Sequence, residues 1–419
     1  MLSAHQEGLW RVERIVRGSA FQHVASVHHI RGELDVPALE RVIVLLGRRH
    51  ELLHTGYRES HDELLAESTE PVPLQTHWIA SDAAAAEFMQ AEHDRPFALE
   101  GEPLFRPILV KTDTAYHLML GLHHLICDAQ SFSIVHRDLA RLYALDAGID
   151  DGPPPPALPT QYSDLARAST DAAARARAAA YWRDRLDGAR EIRFRSASSG
   201  AEGERSFGTI CVPVGASWRD AIADACRDQR STPFLVFGAA LLSVIAPRIE
   251  GTDLRLGTIF LNRLVPGADE VVGPFAEGLL LCVDVTDAGH AVKVLHDRLR
   301  DALLGAIDHS ALAFDDLVES VEAAGLDREK LAPFTLSIAS DPAPLELPRM
   351  VTEPAQPAEA GDGDGGVAVG LHVDLDLARG RCVATFDEAF VPEADVRVLI
   401  SDALRRVEQW DNRREEAAR

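Results

Sequence analysis

Two adjacent histidines and a nearby acid form a compact group of side chains capable of acid–base chemistry. His123 and His124 are neighbours, and Asp128 follows four residues after the second. The preceding run 116–122 is mostly apolar and predicts a strand, and a helical pattern begins near residue 131. Side chains at the end of a strand can point into a cleft while the backbone stays rigid. Because histidine has an ordinary pKa close to that of a general base working near neutral pH, this group is a candidate catalytic centre.

Other kinds of chemistry are less favoured for this group. A metal site needs three or more converging ligands, and adjacent histidines on a strand point to opposite faces of the sheet. Cys127 and Ser131 are available as nucleophiles, but neither lies in a nucleophile-elbow motif. The sequence also has neither a Gly-rich phosphate loop nor a dinucleotide-binding fingerprint. We therefore expect neither a metal nor a bound cofactor.

A second histidine pair shows that spacing alone does not identify a catalytic site. His28 and His29 are followed by Glu33 at the same spacing. This acid lies just beyond an Arg-Gly turn, with no comparable helix beginning at it. We interpret this second group as strand and turn residues without chemistry.

The composition of the whole chain limits the classes of function. Its 419 residues allow two or three domains, and 46% hydrophobic with 26% charged residues is typical of a globular protein. No apolar run is long enough to span a membrane, and the first residues lack the pattern of a secretory signal. The five cysteines are scattered singly, which predicts reduced thiols and a cytoplasmic protein. The net charge of −24 argues against a nucleic-acid partner or an anionic membrane surface.

Strand and helix patterns alternate in both halves of the chain, which predicts two similar α/β lobes. In the first half Asp35 is the predicted N-cap of a helix with Pro37 in its first turn, and a helix follows the histidine strand. The run 148–159 contains four consecutive prolines and is expected to be a stiff linker. The segment 341–366, rich in Pro, Gly and acids, is expected to be a long mobile loop before two strands and a final helix.

An ordered series of motifs resembles the condensation domains of nonribosomal peptide synthetases over nearly the whole chain. Residues 123–131 match the family's His-His-x-x-x-Asp-Gly-x-Ser core. Weaker matches occur elsewhere along the chain. They are the opening Ser-x-Ala-Gln-x-x-x-Trp pattern at 3–10, the Tyr-x-Asp-Tyr-Ala element at 162–166, the Tyr-Trp pair at 181–182, two landmarks of the second half at 232–234 and 256–258, and the Ile-Gly-x-Phe element at 272–275. The order of these matches makes the resemblance specific.

The resemblance implies an α/β fold of two chloramphenicol-acetyltransferase-like lobes in a V shape with a tunnel between them. The expected division is an N-terminal lobe, 1–178, carrying the histidine motif, and a C-terminal lobe, 179–419. The implied function is a condensation enzyme of natural-product biosynthesis that forms an amide, or as a less favoured product an ester. Its donor is an acyl thioester on the phosphopantetheine arm of a carrier protein acting in trans, because no carrier, adenylation or thioesterase motif is present. Its acceptor is an amine, small or carrier-bound, and the enzyme is expected to be a monomer.

The resemblance also implies roles for the site residues. His124 would accept a proton from the attacking amine or orient it, while His123 and Asp128 hold the loop. Ala129, which replaces the family's glycine, and Ser131 are candidates for lining the tunnel. The family arginine that commonly pairs with the acid is replaced by His54, which predicts an Asp128–His54 pair titrating near neutral pH.

Departures elsewhere keep other functions open. Segments 275–278 and 309–315 match the family's Phe-Val-Asn-Thr and His-Gln-x-x-Pro-Phe-Glu patterns poorly, which weakens the expectation of a carrier-delivered acceptor. One alternative is a non-catalytic module that recruits a partner enzyme, although such members tend to lose the second histidine or the acid. Another is an O-acyltransferase of the same superfamily that uses acyl-CoA.

Overall fold

The computed structural model assigns thirteen strands and twelve α-helices within the part of the chain that it describes. That part comprises residues 2–15, 18–60, 63–168, 172–195, 206–286, 291–312, 314–321, 326, 328–339, 342–355 and 370–410. The strands are β1 His23–Arg31, β2 Thr55–Ser60, β3 Glu63–Ser68, β4 Gln75–Trp78, β5 Phe105–Lys111, β6 Tyr116–His123, β7 Phe207–Pro213, β8 Asp253–Phe260, β9 Glu277–Asp284, β10 Phe334–Ala339, β11 Val351–Ala355, β12 Leu371–Asp376 and β13 Arg381–Asp387. The helices are α1 Ala4–Ile15, α2 Val36–Arg49, α3 Asp82–Asp94, α4 Ala129–Asp146, α5 Tyr162–Ala168, α6 Ala172–Arg185, α7 Ala216–Gln229, α8 Pro233–Ile245, α9 Val292–Asp308, α10 Phe314–Val321, α11 Arg328–Leu331 and α12 Glu393–Glu408.

The chain divides into two units, each assembled from segments that are distant in sequence. The first comprises Met1–Thr170, Leu261–Ala276 and Asp341–Gly365, and the second comprises Asp171–Phe260, Glu277–Ser340 and Gly366–Arg419. These units differ from the contiguous lobes 1–178 and 179–419 expected from the sequence. The reason is that two later segments make their contacts in the first unit: one supplies β11 to its sheet, and the other hydrogen-bonds to Asp128.

The first unit is built on a five-stranded sheet in the order β11-β1-β6-β5-β4, with β2 and β3 forming a separate hairpin. β6 is buried along nearly its whole length, as expected for an apolar central strand. β1 and β6 are antiparallel, and their register pairs His23 with His123 and His29 with His117. Because side chains alternate between the faces of a sheet, these four histidines lie on one face and His28 lies on the other.

Helices cover both faces of this sheet. On one face α2 and α4 pack over β1 and β6. The predicted start of α2 is confirmed, because the Asp35 carboxylate accepts the Ala38 N–H at 3.0 Å and a proline occupies the first turn. On the other face α3 packs Ala85 and Met89 against apolar residues of β1, β5 and β6. Strand β1, which carries His28 and His29, is therefore covered by helices on both faces of the sheet.

The segment 341–366 is only partly what its composition predicts. Residues 351–355 form β11, which pairs antiparallel with β1 at the sheet edge. Leu345 and Leu347 are buried in the core of the first unit. The expectation of one long loop was wrong for this stretch, because an edge strand needs little apolar sequence when a neighbour supplies its hydrogen bonds. Residues 341 and 356–366 lie outside the described residues.

The second unit has its own six-stranded sheet in the order β7-β13-β12-β10-β8-β9. β10 is parallel to both of its neighbours, and the other pairs are antiparallel. Helix α8 is strongly apolar because nearly all of it is buried in this unit's core, and its N-cap Thr232 accepts the Leu235 N–H. Among the described residues no single helix has the length and apolarity to cross a membrane, whereas the bent pair Ala216–Gln229 and Pro233–Arg248 meets these criteria only when taken together.

Candidate active site

The turn that carries the histidine pair joins the central strand of the first sheet to a helix. β6 ends at His123, and α4 begins directly after Asp128. The His124 N–H donates to the Gln22 carbonyl at 2.8 Å, and the Ile126 N–H donates to the His123 carbonyl at 2.9 Å. The predicted order of strand, turn and helix is confirmed, and backbone hydrogen bonds hold the turn at both of its ends.

His124 has the protonation state that a general base requires. Its Nδ1 lies 3.4 Å from the Cys127 carbonyl, so the Nδ1–H makes a weak hydrogen bond there and the lone pair stays on Nε2. Burial lowers the pKa of His124, and nearby His123 adds to this; the Cys127 hydrogen bond and the Asp128 charge act in the opposite direction. The net effect is a pKa below the ordinary value of 6.5, so the imidazole is neutral at neutral pH.

His123 makes buried contacts with its own turn and with helix α1. Its Nδ1 accepts the Leu125 N–H at 3.1 Å, which places the ring proton on Nε2. That Nε2–H faces the Glu13 carboxylate at 3.3 Å, and the Gln22 amide donates to the same carboxylate oxygen at 3.1 Å. His123 is almost completely buried. It therefore fixes the turn that carries His124 and attaches it to helix α1.

Asp128 is the centre of a buried hydrogen-bond network. It caps α4 by accepting the Ser131 N–H at 2.9 Å, and the Ser131 hydroxyl completes a capping box with it. Oδ1 also accepts from Arg263 Nη2 at 2.7 Å, and Oδ2 accepts the Phe275 N–H at 3.2 Å. The carboxylate that caps α4 therefore also binds the segment Leu261–Ala276.

Arg263 neutralises the Asp128 carboxylate. The guanidinium is 8% exposed and the carboxylate 3%, so this ion pair is buried. Other guanidinium hydrogens donate to the carbonyls of Val271 and Ala268, and the guanidinium carbon lies 4.4 Å from the centre of the Phe275 ring. A buried ion pair with its remaining donors mostly satisfied fixes geometry because either partner alone is costly to bury.

The predicted Asp128–His54 pair does not form. His54 Nδ1–H instead donates to the backbone carbonyls of Gly47 at 2.7 Å and His50 at 3.2 Å, within its own helix end. Arg263 takes the position beside Asp128 that the sequence analysis assigned to His54. Since arginine stays charged at all physiological pH values, Asp128 has a permanently charged partner in place of a histidine.

The two proposed tunnel-lining residues lie in different environments. Ala129 is exposed at the first position of α4. Ser131 is fully buried, and its hydroxyl contacts Asp128 Oδ1 at 2.9 Å and both the carbonyl and N–H of Gly273 at 3.1 Å. The expectation of a substrate-lining role for Ser131 is not met, because its hydroxyl is enclosed in the Asp128 network.

Neither candidate nucleophile is presented to a substrate. Cys127 is 1% exposed, and burial raises the pKa of its thiol well above the ordinary value, so the thiol stays protonated. Its hydrogen donates to the His123 carbonyl at 3.4 Å. The Ser131 hydroxyl is held in the network just described. The arrangement is suited to general-base chemistry at His124 rather than to covalent catalysis.

Sequence reasoning missed Arg263, Glu13 and Gln22. Arg263 lies 135 positions from Asp128, and Glu13 lies 110 positions from His123. No local spacing signals such pairs. The only signals were indirect: Glu13 follows the opening motif 3–10, and Arg263 precedes the landmark 272–275.

Comparison with known proteins identifies the family of the chain. The family model described as "Condensation domain" matches residues 1–351, which include β1, β6, α4 and the Arg263 segment. The chain belongs to the condensation domain family. Phosphinothricin tripeptide synthetase PhsC of Streptomyces viridochromogenes is 29% identical over 337 residues, which are 76% of this chain and 30% of that protein. Bacitracin synthase 1 of Bacillus licheniformis is 24% identical over 339 residues, again 76% of this chain but 6% of the relative. The chain thus spans less than a third of the length of either relative.

Solved structures show the same fold over almost the whole chain. The X-domain in its complex with OxyB from teicoplanin biosynthesis is similar with a TM-score of 0.76 and 20% identity, covering 97% of this chain and 92% of that one. The first condensation domain of the calcium-dependent antibiotic synthetase gives a TM-score of 0.74 and 17% identity, covering 97% and 95%. The predicted family and the mixed α/β condensation fold are therefore confirmed.

Proposed function

We propose that this condensation domain forms an amide bond between a carrier-bound acyl thioester and an amine. The observation that carries the proposal is the state of His124: a neutral imidazole with its lone pair on Nε2, on a turn fixed by buried contacts of His123 and Asp128. A histidine that only maintained the fold would not need a neutral imidazole with its lone pair on Nε2.

The reaction that suits this site is the aminolysis of a thioester. The amine nitrogen attacks the thioester carbonyl carbon, forming the C–N bond, and its proton passes to Nε2 of His124. The tetrahedral intermediate then collapses, the C–S bond breaks, and the departing phosphopantetheine thiolate takes the proton from His124 to become a thiol. General-base assistance contributes about 10²–10⁴-fold, and alignment of the two substrates supplies a further share of the rate.

The donor in this proposal is held on a phosphopantetheine arm, as is usual for condensation domains, and no cofactor is consumed. We further infer that the acceptor is an amine that need not arrive on a carrier protein. Support comes from segments 275–278 and 309–315, which depart from the family patterns, while the His123–Asp128 core is intact. An alcohol acceptor, which would give an ester, is the competing product.

A second candidate is a recruitment module without catalysis. One structural neighbour, with a TM-score of 0.76, is an X-domain in a complex with OxyB, so a protein of this fold binds a partner. Retention of both histidines and the acid favours the catalytic proposal here. The acyl-CoA-dependent O-acyltransferase alternative differs in its donor and in its alcohol acceptor, and the same assay tests it.

The decisive experiment compares His124→Ala with the control His77→Ala. His77 is on β4 of the same sheet and packs on Phe88, away from the turn. Product formation is followed by intact-mass spectrometry with a panel of acyl-loaded carrier proteins, matching acyl-CoA donors, and amines or alcohols. We expect about 10²–10⁴-fold less product from His124→Ala, unchanged circular dichroism, and normal rates from the control. Full activity of His124→Ala would refute the proposal, and binding of a tailoring enzyme without turnover by the wild type would favour the recruitment module.

The pH profile supplies a second readout. A base works only while unprotonated, and burial lowers the pKa of His124 below 6.5. At a constant, saturating concentration of unprotonated amine, we therefore expect the rate to stay high as the pH falls to 6.5 and to decline only below it. Under these conditions an acidic limb centred above pH 6.5 would contradict the assignment of His124 as a buried base.

A further inference from the structure

A second group of histidines lies on the same sheet, away from the catalytic turn. The register places His29 of β1 directly opposite His117 of β6, and their rings stack with centroids 4.8 Å apart and planes 4° from parallel. Burial and the neighbouring His117 lower the pKa of His29. Two such imidazoles repel each other when both are charged, which disfavours the protonated form of His29.

Helix α3 adds a carboxylate to this pair. Asp82, its first residue, has Oδ1 3.0 Å from His117 Nε2. The hydroxyls of Thr112 and Thr114 donate to the same carboxylate at 2.7 Å and at 2.9–3.1 Å. The Thr112 bond, followed by that to His117, lowers the pKa of Asp82 to about 2, so it is an anion at neutral pH. Hydrogen bonds of this kind orient carboxylates that ligate metals.

The remaining contacts of His29 leave one nitrogen without a partner. Its Nε2 is buried and has no hydrogen-bond partner among the described residues. On its other side the Arg31 guanidinium approaches Nδ1 at 3.4 Å, while Arg31 forms an ion pair with Glu353 of β11 at 3.0 Å. Glu353 lies directly opposite His29 in the β1–β11 register, so a second carboxylate stands beside the group. A buried nitrogen without a partner is costly, and a cation that displaces its proton would satisfy it.

We propose that His29, His117 and Asp82 form a binding site for a divalent transition-metal ion of the zinc class. One ligand atom from each residue lies within 4.8 Å of the other two. Tetrahedral zinc with bonds of about 2.0–2.1 Å requires ligand atoms about 3.3 Å apart. The Asp82–His117 separation of 3.0 Å is already close to this, and the His29 ligand atom, which lies within 4.8 Å of the other two, would have to move closer when an ion binds. Two imidazoles with one carboxylate favour zinc-like ions over calcium or magnesium, which prefer oxygen ligands.

This site is independent of the proposed acyl transfer. His117 and His123 are six residues apart on β6, which corresponds to about 20 Å along a strand. The metal therefore does not replace the base, and loss of metal binding leaves the assignment of His124 unaffected. Three protein ligands leave a fourth position for water or another donor.

The experiment titrates Co²⁺ into untagged, chelator-treated protein and follows the visible absorption of the bound ion, with Zn²⁺ as competitor. The variants are His29→Gln, His117→Gln and Asp82→Asn, and the matched control is His77→Ala on the same sheet. We expect the wild type and the control to bind one equivalent of Co²⁺ that Zn²⁺ displaces. Each of the three variants should bind at least about tenfold more weakly. Zn²⁺ should raise the melting temperature of the wild type and control only.

Two outcomes would overturn the metal site. One is a wild type that binds no Co²⁺. The other is binding by folded His29→Gln and His117→Gln at wild-type strength, which would assign the ion to some other of the 17 histidines. Circular dichroism checks each fold, and if His117→Gln fails to fold, His29→Gln and Asp82→Asn carry the test, because neither removes a group from a fully buried position.

Discussion

The two histidine pairs of this chain have the same sequence spacing to an acid but different surroundings. His28 and His29 lie within β1, so alternation sends one ring to each face of the sheet. His28 meets His136 of α4 at 3.2 Å, whereas His29 meets His117 on the opposite face. His123 and His124 lie where β6 ends, and the turn allows each ring its own set of contacts.

The acids that follow the pairs differ even more. Asp128 is 3% exposed, caps a helix and pairs with a buried arginine, whereas Glu33 is exposed beyond the end of β1. The comparison shows that the element following a histidine pair, rather than the spacing itself, decides whether the acid becomes part of a site. When a helix begins directly after the acid, the carboxylate accepts free N–H groups of the first helical turn and is held against the helix end.

The largest expected effect is the difference in stability between the alanine variants of Asp128 and Glu33. Asp128→Ala leaves Arg263 buried without its counter-charge and removes the N-cap of α4, so we expect a loss of about 3–5 kcal/mol in the free energy of unfolding. Glu33→Ala should change it by less than about 0.5 kcal/mol. Urea denaturation of both variants measures the difference. Equal effects would remove the distinction between the two acids.

An intermediate effect is expected at the first histidine of the catalytic pair. His123→Ala leaves the Leu125 N–H without an acceptor and deprives Glu13 of one donor, which should cost about 1–3 kcal/mol in unfolding free energy. Product formation should fall less than in His124→Ala, because the base itself remains. Urea denaturation and the intact-mass assay give the two readouts. A loss of activity as large as that of His124→Ala, in a stably folded variant, would assign His123 a direct part in the chemistry.

How much the sequence could predict depends on how local each contact is. The Asp35 cap was predicted, because its carboxylate accepts an N–H only three residues further along the chain; the Asp128 cap is equally local. Arg263, the partner of Asp128, was not predicted, because the family pattern pointed to His54 and gave no information on a loop 135 positions away. Strand β11 was missed for the same reason: its pairing with β1 depends on a register between distant segments rather than on its own composition.

The smallest expected effect per pH unit concerns His28, the buried histidine of the pair on β1. Burial lowers the pKa of His28 to about 3, with His136 adding to this. The unfolded chain therefore binds a proton between about pH 6.5 and pH 3 that the folded chain does not, so stability falls as the pH is lowered through this window. The slope attributable to His28 is at most about 1.4 kcal/mol per pH unit. Urea denaturation from about pH 7 to about pH 4 should show a shallower acid-side decline for His28→Gln than for the wild type, and identical slopes would contradict the assignment.

The return of two late segments to the first unit has a consequence for how the chain is made. Asp128 leaves the ribosome 135 residues before Arg263, a delay of about 10 s at typical rates of synthesis. During that time the carboxylate has only its own helix to bind, and β1 has no β11 at its edge. The nascent first unit is thus an incomplete sheet with an open edge until residue 355 has emerged, which is the stage at which chaperones would find it. A fragment ending at residue 170 would stay permanently in that unfinished state.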